Sequence, residues 1–215
     1  MRHLAIAALL ALAPAGAVAQ DVPASVPAPV TTPAPAAPVP ATVNVVMTTS
    51  AGKIVIALEK ERAPVTTANF LRYVDAKRLD NIVFYRSMRL PWNAGLIQAG
   101  QRDPRLRYAG IAHEPTSKTG LTHSEGAISM ARLAPGTATA DFSIVVGDMT
   151  GLDAKADDPG FAVFGRVVEG MDVVKTIWTA PRSPTKGEGV MKGEMLEPEV
   201  KVLTVRRAPV AAPKP

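Results

Sequence analysis

No cysteine occurs in this chain, which removes disulfide frameworks, thiol chemistry and an acylatable cysteine for a lipoprotein anchor. Long apolar runs are missing too. The nearest approach, Leu4 to Ala13, is shorter than the roughly 18 residues that span a bilayer, and Pro14 and Gly16 follow it. There is no Gly-rich phosphate loop and no hydrolase elbow; Gly147-Asp148 and Lys186-Gly187 are ordinary turn pairs. The formal net charge of +5 is small and its basic residues are scattered, so no nucleic-acid footprint is read. His113 and His123, with Glu114 and Glu125 beside them, match no zinc spacing. Asp148, Asp153, Asp157 and Asp158 lack the regular spacing of a calcium loop. Neither a metal nor a cofactor is expected.

What is present suits one domain with appendages in a chain of 215 residues. Arg2 and His3 give a basic start, an apolar stretch follows, and Ala17-Val18-Ala19 supplies small residues for cleavage. Residues 1–19 therefore read as a secretory signal, and the mature chain would begin at Gln20. Residues 20–41 form a linker. From Asp21 onward it is almost only Pro, Ala, Val, Thr and Ser, with seven prolines from Pro23 to Pro40. Such a stretch favours extended polyproline II and cannot bury a core; a ligand for a proline-binding partner is the alternative. Residues 42–207 hold the folded domain, and 208–215 are a disordered tail. Export to a bacterial periplasm is expected, as a monomer without stable membrane insertion.

Within the domain the pattern is mainly strands. Val43, Val45 and Met47 alternate with polar or smaller residues, and Lys53 to Leu58 follows a Ser50-Ala51-Gly52 turn, which predicts a hairpin. Ile82 to Arg86, Ala127 to Ala131, Phe142 to Val146, Phe161 to Val167 and Glu199 to Arg206 read as further strands. Short strands separated by turns point to a barrel or sandwich. One helix opens at Pro64, carries Phe70, Leu71, Tyr73 and Val74, and ends near Lys77 and Arg78. A second runs from about Gly170 through Met171, Val174, Ile177 and Trp178 and stops before Pro181. Both are amphipathic and should cap the barrel with one buried face.

The order and identity of local motifs add more than periodicity does. These are Ala63-Pro64-Val65-Thr66-Thr67-Ala68-Asn69-Phe70, Phe84-Tyr85-Arg86, Gln98-Ala99-Gly100, Gly126-Ala127-Ile128-Ser129-Met130-Ala131, Ala140-Asp141-Phe142-Ser143-Ile144, Leu152-Asp153, Val163-Phe164-Gly165-Arg166-Val167 and Glu169-Gly170-Met171-Asp172. In this order, from about Thr42 to Arg207, the chain resembles the cyclophilins. The resemblance implies a mainly β fold, an eight-stranded antiparallel β-barrel capped by two α-helices. It also implies peptidyl-prolyl cis-trans isomerase activity on proline-containing segments of unfolded or folding proteins.

Rotation about an Xaa-Pro bond cleaves nothing, so no nucleophile or metal is needed. A catalyst must favour the twisted state, in which resonance is lost and the prolyl nitrogen becomes basic. By the resemblance, Arg86 donates to that nitrogen or to the carbonyl oxygen, and Gln98 orients Arg86 and bonds the substrate backbone. An apolar cup for the proline ring would be lined by Leu96, Met130 and Leu152, with Phe161 near the rim and Ala131 beside the peptide. Plain core packing is the rival reading for Met130 and Leu152. Four positions depart from the family pattern. Ser143 and Gly95 stand where relatives have pocket phenylalanines, Asp141 where they have a glutamine, and Arg132 where they have an asparagine. Asp141 and Arg132 could pair on the rim. Trp92, in an insertion around Arg89 to Ala94, could refill the cup or be a plain loop residue. A weakly catalytic module that binds proline-containing or unfolded segments is therefore the alternative function.

Overall fold

The computed structural model describes residues 41–209. The expected signal segment, the expected linker up to residue 40 and the tail from residue 210 lie outside the described residues. In chain order the elements are β1 (Thr42–Thr49), β2 (Gly52–Glu59), α1 (Pro64–Asp75), β3 (Val83–Leu90), β4 (Ala94–Gly100), α2 (Thr116–Thr119), β5 (Ala127–Met130), β6 (Phe142–Val146), β7 (Ala162–Glu169), α3 (Met171–Thr179) and β8 (Met195–Arg207). The eight strands form a closed barrel in the order β1-β2-β7-β5-β6-β4-β3-β8, and β8 returns to pair antiparallel with β1. Closure leaves no strand edge unpaired.

Alternation decides which side chains fill the barrel. Val45 and Met47 of β1, Ile54, Ile56 and Leu58 of β2, Ile97 of β4, Ile128 of β5 and Ile144 of β6 are all fully buried. The aromatic centre is Phe70 of α1, which meets Phe142 edge-on at 5.4 Å and Phe164 at 5.3 Å; Phe84 stands edge-on to Phe142 at 6.2 Å. Such geometries add to burial because ring edges face ring clouds. The helix α1 packs on β2, β7 and β8, whereas α3 packs on β2, β3, β4 and β6. One short helix, α2, was not foreseen, since a single turn leaves no periodicity to read.

The stretch from Arg89 to Ala94, read from sequence as an insertion, forms the end of a hairpin. Met88 pairs with Leu96, Arg89 with Gly95 and Leu90 with Ala94. The end of α3 clasps this hairpin. Arg89 donates to the carbonyl oxygens of Trp178 at 2.7 Å and Ala180 at 2.5 Å, a cation placed on the negative pole of the helix. The Trp178 indole N–H donates to the Met88 carbonyl at 2.7 Å. A β-carbon on Gly95 would lie 2.0 Å from that oxygen and 2.9 Å from the indole nitrogen, so only glycine fits there.

The acidic and histidine residues of the 113–125 stretch do not converge. His113 faces the Pro159 carbonyl at 2.9 Å, Glu125 pairs with Lys175 at 2.7 Å, and Glu114 turns to α1. That helix has no side-chain cap of its own. Glu114, buried, accepts from the Val65 N–H at 3.1 Å, the Thr66 N–H at 2.7 Å and the Thr66 hydroxyl at 2.6 Å. It satisfies orphan donors and places negative charge at the positive helix end. Glu114→Ala should destabilise the domain by about 2–3 kcal/mol, the scale of losing hydrogen bonds to a charged acceptor. Glu114→Gln should cost less, because an amide oxygen still accepts. Urea unfolding of the two variants checks this; equal, near-zero losses would refute the cap.

Candidate active site

A groove of about 760 Å³ lies on the outer face of β3, β4, β5 and β6. Its floor is a row of cross-strand partners: Arg86 pairs with Gln98, Gln98 with Ser143, and Ser143 with Ser129. Arg86 reaches this row through a β-bulge. Phe84 pairs with Ala99 and Arg86 with the adjacent Gln98, so β3 carries one extra residue, Tyr85. The bulge breaks alternation locally. Phe84 is buried in the core, Tyr85 and Arg86 both face the groove, and Ser87 is buried again.

The Arg86 guanidinium is held on two sides. One terminal nitrogen donates to Gln98 Oε1 at 2.9 Å. Nε donates to Glu194 Oε2 at 2.8 Å, and the other terminal nitrogen lies 2.7 Å from the same oxygen. Glu194 was not identifiable from sequence. It lies 108 residues downstream of Arg86, just before β8, and nothing in the spacing marks it.

Leu96, Leu152 and Phe161 line the apolar part of the groove, and Ala131 lies on its wall. Arg132 also lines it, with its guanidinium 5.0 Å from the centre of the Phe161 ring. Its Nε donates to the Gly160 carbonyl at 3.0 Å. These two side chains form one wall, a cation over an aromatic face. Arg132 does not pair with Asp141, as its sequence reading had allowed; its nearest carboxylate contact is Asp158 at 4.0 Å.

Two further expectations, for Met130 and Gly95, are corrected, and of the two readings of Trp92 the plain loop residue holds. Met130 is 1% exposed and belongs to the core; alternation places it with Ile128, while Ser129 and Ala131 face the groove. Gly95 shares the inward face with Ile97, beneath the Trp178 indole, so its lack of a side chain takes nothing from the cup. Trp92 stands at the hairpin tip, 65% exposed, and is absent from the groove lining. Ser143 does line the groove, 8% exposed on its floor.

Asp141 sits at the groove wall and accepts from the Tyr85 hydroxyl at 2.8 Å. Burial pushes its carboxyl above the usual carboxylate range, against the hydrogen bond from Tyr85 and the charges of Arg107 and Arg102. Burial, and then the Asp141 charge, raise the Tyr85 phenol. Gly100 makes room for this pair, because a β-carbon there would come within 2.4 Å of Asp141 Oδ1.

Under the floor, His123 Nε2 faces the Ser129 hydroxyl at 2.8 Å and His123 Nδ1 faces Asp153 Oδ1 at 2.6 Å. The order is that of a hydrolase relay. Ser129 is only 2% exposed and the imidazole is sealed, so the chain braces the floor: Asp153 fixes the ring and the ring fixes Ser129.

A barrel face with a fixed guanidinium beside an apolar cup defines a peptide-binding groove suited to polarising a bond rather than cleaving it. The family described as cyclophilin type peptidyl-prolyl cis-trans isomerase matches residues 44–206, and the chain belongs to that family. The chain is 36% identical over 137 residues to peptidyl-prolyl cis-trans isomerase A of Dickeya dadantii, covering 62% of this chain and 70% of that protein. It is 36% identical over 152 residues to a peptidyl-prolyl cis-trans isomerase of Streptomyces antibioticus, covering 67% and 88%. In fold it is similar to a cyclophilin type isomerase of Cryptosporidium parvum, with a TM-score of 0.63 at 18% identity over 80% of this chain and all of that one. A second structure of the Cryptosporidium protein, solved in the presence of the dipeptide Ala-Pro, matches with a TM-score of 0.62.

Burial lowers the His123 pKa below the ordinary histidine value, opposed by the bond and charge of Asp153. The unfolded chain thus binds the proton more readily than the native one. The stability gained from a neutral, buried ring is full above about pH 6.5, the unfolded value, and is lost as pH falls toward the native one. NMR of the His123 ring should show it protonating at lower pH than a free histidine does, with unfolding midpoints falling below about pH 6.5. A ring half charged at pH 6.5 would overturn this.

Proposed function

We propose that this groove accelerates cis-trans isomerisation of Xaa-Pro bonds in exported proteins as they fold, with Arg86 as the catalytic group. The barrier of roughly 18 to 20 kcal/mol comes from amide resonance. Uncatalysed exchange takes roughly 10 to 100 seconds, slow enough to limit folding. In the twisted state the prolyl nitrogen regains its lone pair, and a donor aimed there binds the transition state more tightly than either planar isomer. The observation that carries the reading is the Arg86 fork, 16% exposed, set beside the apolar cup of Leu96, Leu152 and Phe161. The cup holds the ring, and Gln98 orients the fork. One chain supplies the whole groove, so a single copy is taken as the working unit.

A second reading, a module that binds more than it catalyses, is favoured by the hydroxyl of Ser143 on the floor where relatives carry an aromatic ring. Losing such a ring removes apolar contact of about 1.5 to 3 kcal/mol when fully buried. Steady-state isomerisation of a short Xaa-Pro peptide separates the two. Arg86→Ala should lower kcat/KM by about 10²- to 10³-fold, and Arg86→Lys should also be poor, since a point charge does not replace the planar fork. Ser143→Phe should raise kcat/KM about tenfold if the new ring contributes about 1.4 kcal/mol to the twisted state. Near wild-type rates for folded Arg86→Ala would reject the catalytic assignment, and a slower, folded Ser143→Phe would reject the weak-floor reading.

Export rests on the reading of residues 1–19 as a signal segment and of residues 20–41 as a Pro/Ala-rich spacer. Periplasmic extracts of a bacterium expressing the full chain should yield a protein whose intact mass starts at Gln20. Retention of the full-length mass in the cytoplasm would remove this part of the proposal.

A further inference from the structure

We propose that Glu194 is a positioning residue for the reaction: its carboxylate clamps the Arg86 fork so that the remaining guanidinium donors face the prolyl bond. This rests on the isomerase reading above. A guanidinium has five N–H donors. The Nε–H is taken by Glu194 Oε2 and one terminal nitrogen by Gln98 Oε1, while the other terminal nitrogen lies 2.7 Å from Glu194 Oε2. In the proposal, the donors that these two residues do not take are the ones the fork presents to a substrate bond. Gln98 alone leaves the fork free to turn about its single hydrogen bond. The carboxylate on the Nε side fixes its plane.

The carboxylate is itself delivered by a built loop. The segment from Ser183 to Met195 closes on itself: the Ser183 N–H donates to the Met195 carbonyl at 2.8 Å and the Gly193 N–H to the Lys186 carbonyl at 2.9 Å. Glu194 is then pinned through its backbone, donating to the Met191 carbonyl at 3.0 Å and accepting from the Ser87 N–H of β3 at 2.9 Å. Its neighbour Met195 is the β8 partner of Arg86. Glu194 therefore stands at a fixed step of the same sheet that carries the arginine. The pair is mostly buried, with side chains 16% and 19% exposed, where a charge-assisted bond holds geometry better than at an open surface. The same loop brings Val190, Met191 and Met195 to the groove.

The arrangement separates positioning from binding. A clamp that acts on the twisted state changes kcat and leaves KM nearly alone. In Glu194→Ala, kcat should fall about tenfold with KM and the unfolding midpoint close to wild type. Glu194→Gln keeps one acceptor oxygen for the fork and should recover much of the loss. In an Arg86→Ala background, Glu194→Ala should have no further effect, because there is nothing left to hold. A readout independent of turnover is the Arg86 Nε–H resonance in a proton–nitrogen spectrum: slow to exchange in the wild type, fast or lost in Glu194→Ala, restored in Glu194→Gln. Unchanged or faster catalysis in Glu194→Ala would overturn the proposal, as would an equal loss on top of Arg86→Ala, which would mark a merely structural loop. If the wild type itself shows no isomerisation, the functional reading fails, and the Nε–H resonance still decides whether the clamp exists.

Discussion

One extra residue in β3 sets the chemistry of this barrel face. A regular strand would put Phe84 and Arg86 on the same side, and Phe84 belongs to the core, edge-on to Phe142. With Tyr85 inserted against Ala99 and Gln98 of β4, the aromatic ring stays inside and the guanidinium turns out. The neighbouring strand accommodates the same step. Phe84 pairs with Val200 and Arg86 with Met195, so β8 leaves the ladder between those contacts, and the loop carrying Glu194 rejoins the sheet beside Arg86. The bulge thus aims the arginine and admits the residue that holds it, which fits the general placement of bulges next to functional sites.

Several polar groups of the site are each fixed by a partner on a different strand or loop. Gln98 and Glu194 fix Arg86, Asp141 fixes Tyr85, Asp153 and His123 fix Ser129, and the Gly160 carbonyl fixes Arg132. Among the described residues no buried side-chain polar atom lacks a partner. A catalyst that works by preorganised donors needs this, since a donor that must first rotate into place gives back part of what it stabilises.

Much of the fold was legible because alternation and helical spacing are local signals. The strands β1, β2 and β6 fall where their apolar residues alternate, and α1 and α3 start and stop near Pro64 and Pro181. Longer reaches were not local. The stretch from Arg89 to Ala94 reads as an insertion against the family motifs, and its hairpin was not legible because Trp178 and the end of α3, distant in sequence, hold it. For the groove, Arg86, Gln98, Leu96, Leu152 and Phe161 were reached through motif resemblance, and the structure brings them together. Met130 and Gly95 could have been placed correctly from the alternation of their own strands, with Ile128 and Ile97 as the guides. Glu194 could not: a partner contributed by a distant loop leaves no pattern in sequence.

Ser143 shows how far a floor substitution travels. An aromatic ring at this position would cover Ser129, its cross-strand partner, and close the floor with apolar surface. With a hydroxyl there, the floor becomes a polar strip from Gln98 through Ser143 to Ser129, braced from below by His123. The apolar lining of the groove lies at its sides, in Leu96, Leu152 and the Phe161 ring with Arg132 over it. On the proposed function, side walls would grip a proline ring in both planar isomers and in the twisted state alike, and so would strengthen binding more than they favour rotation. Selectivity for the transition state then falls more heavily on the guanidinium, and on whatever keeps its plane fixed.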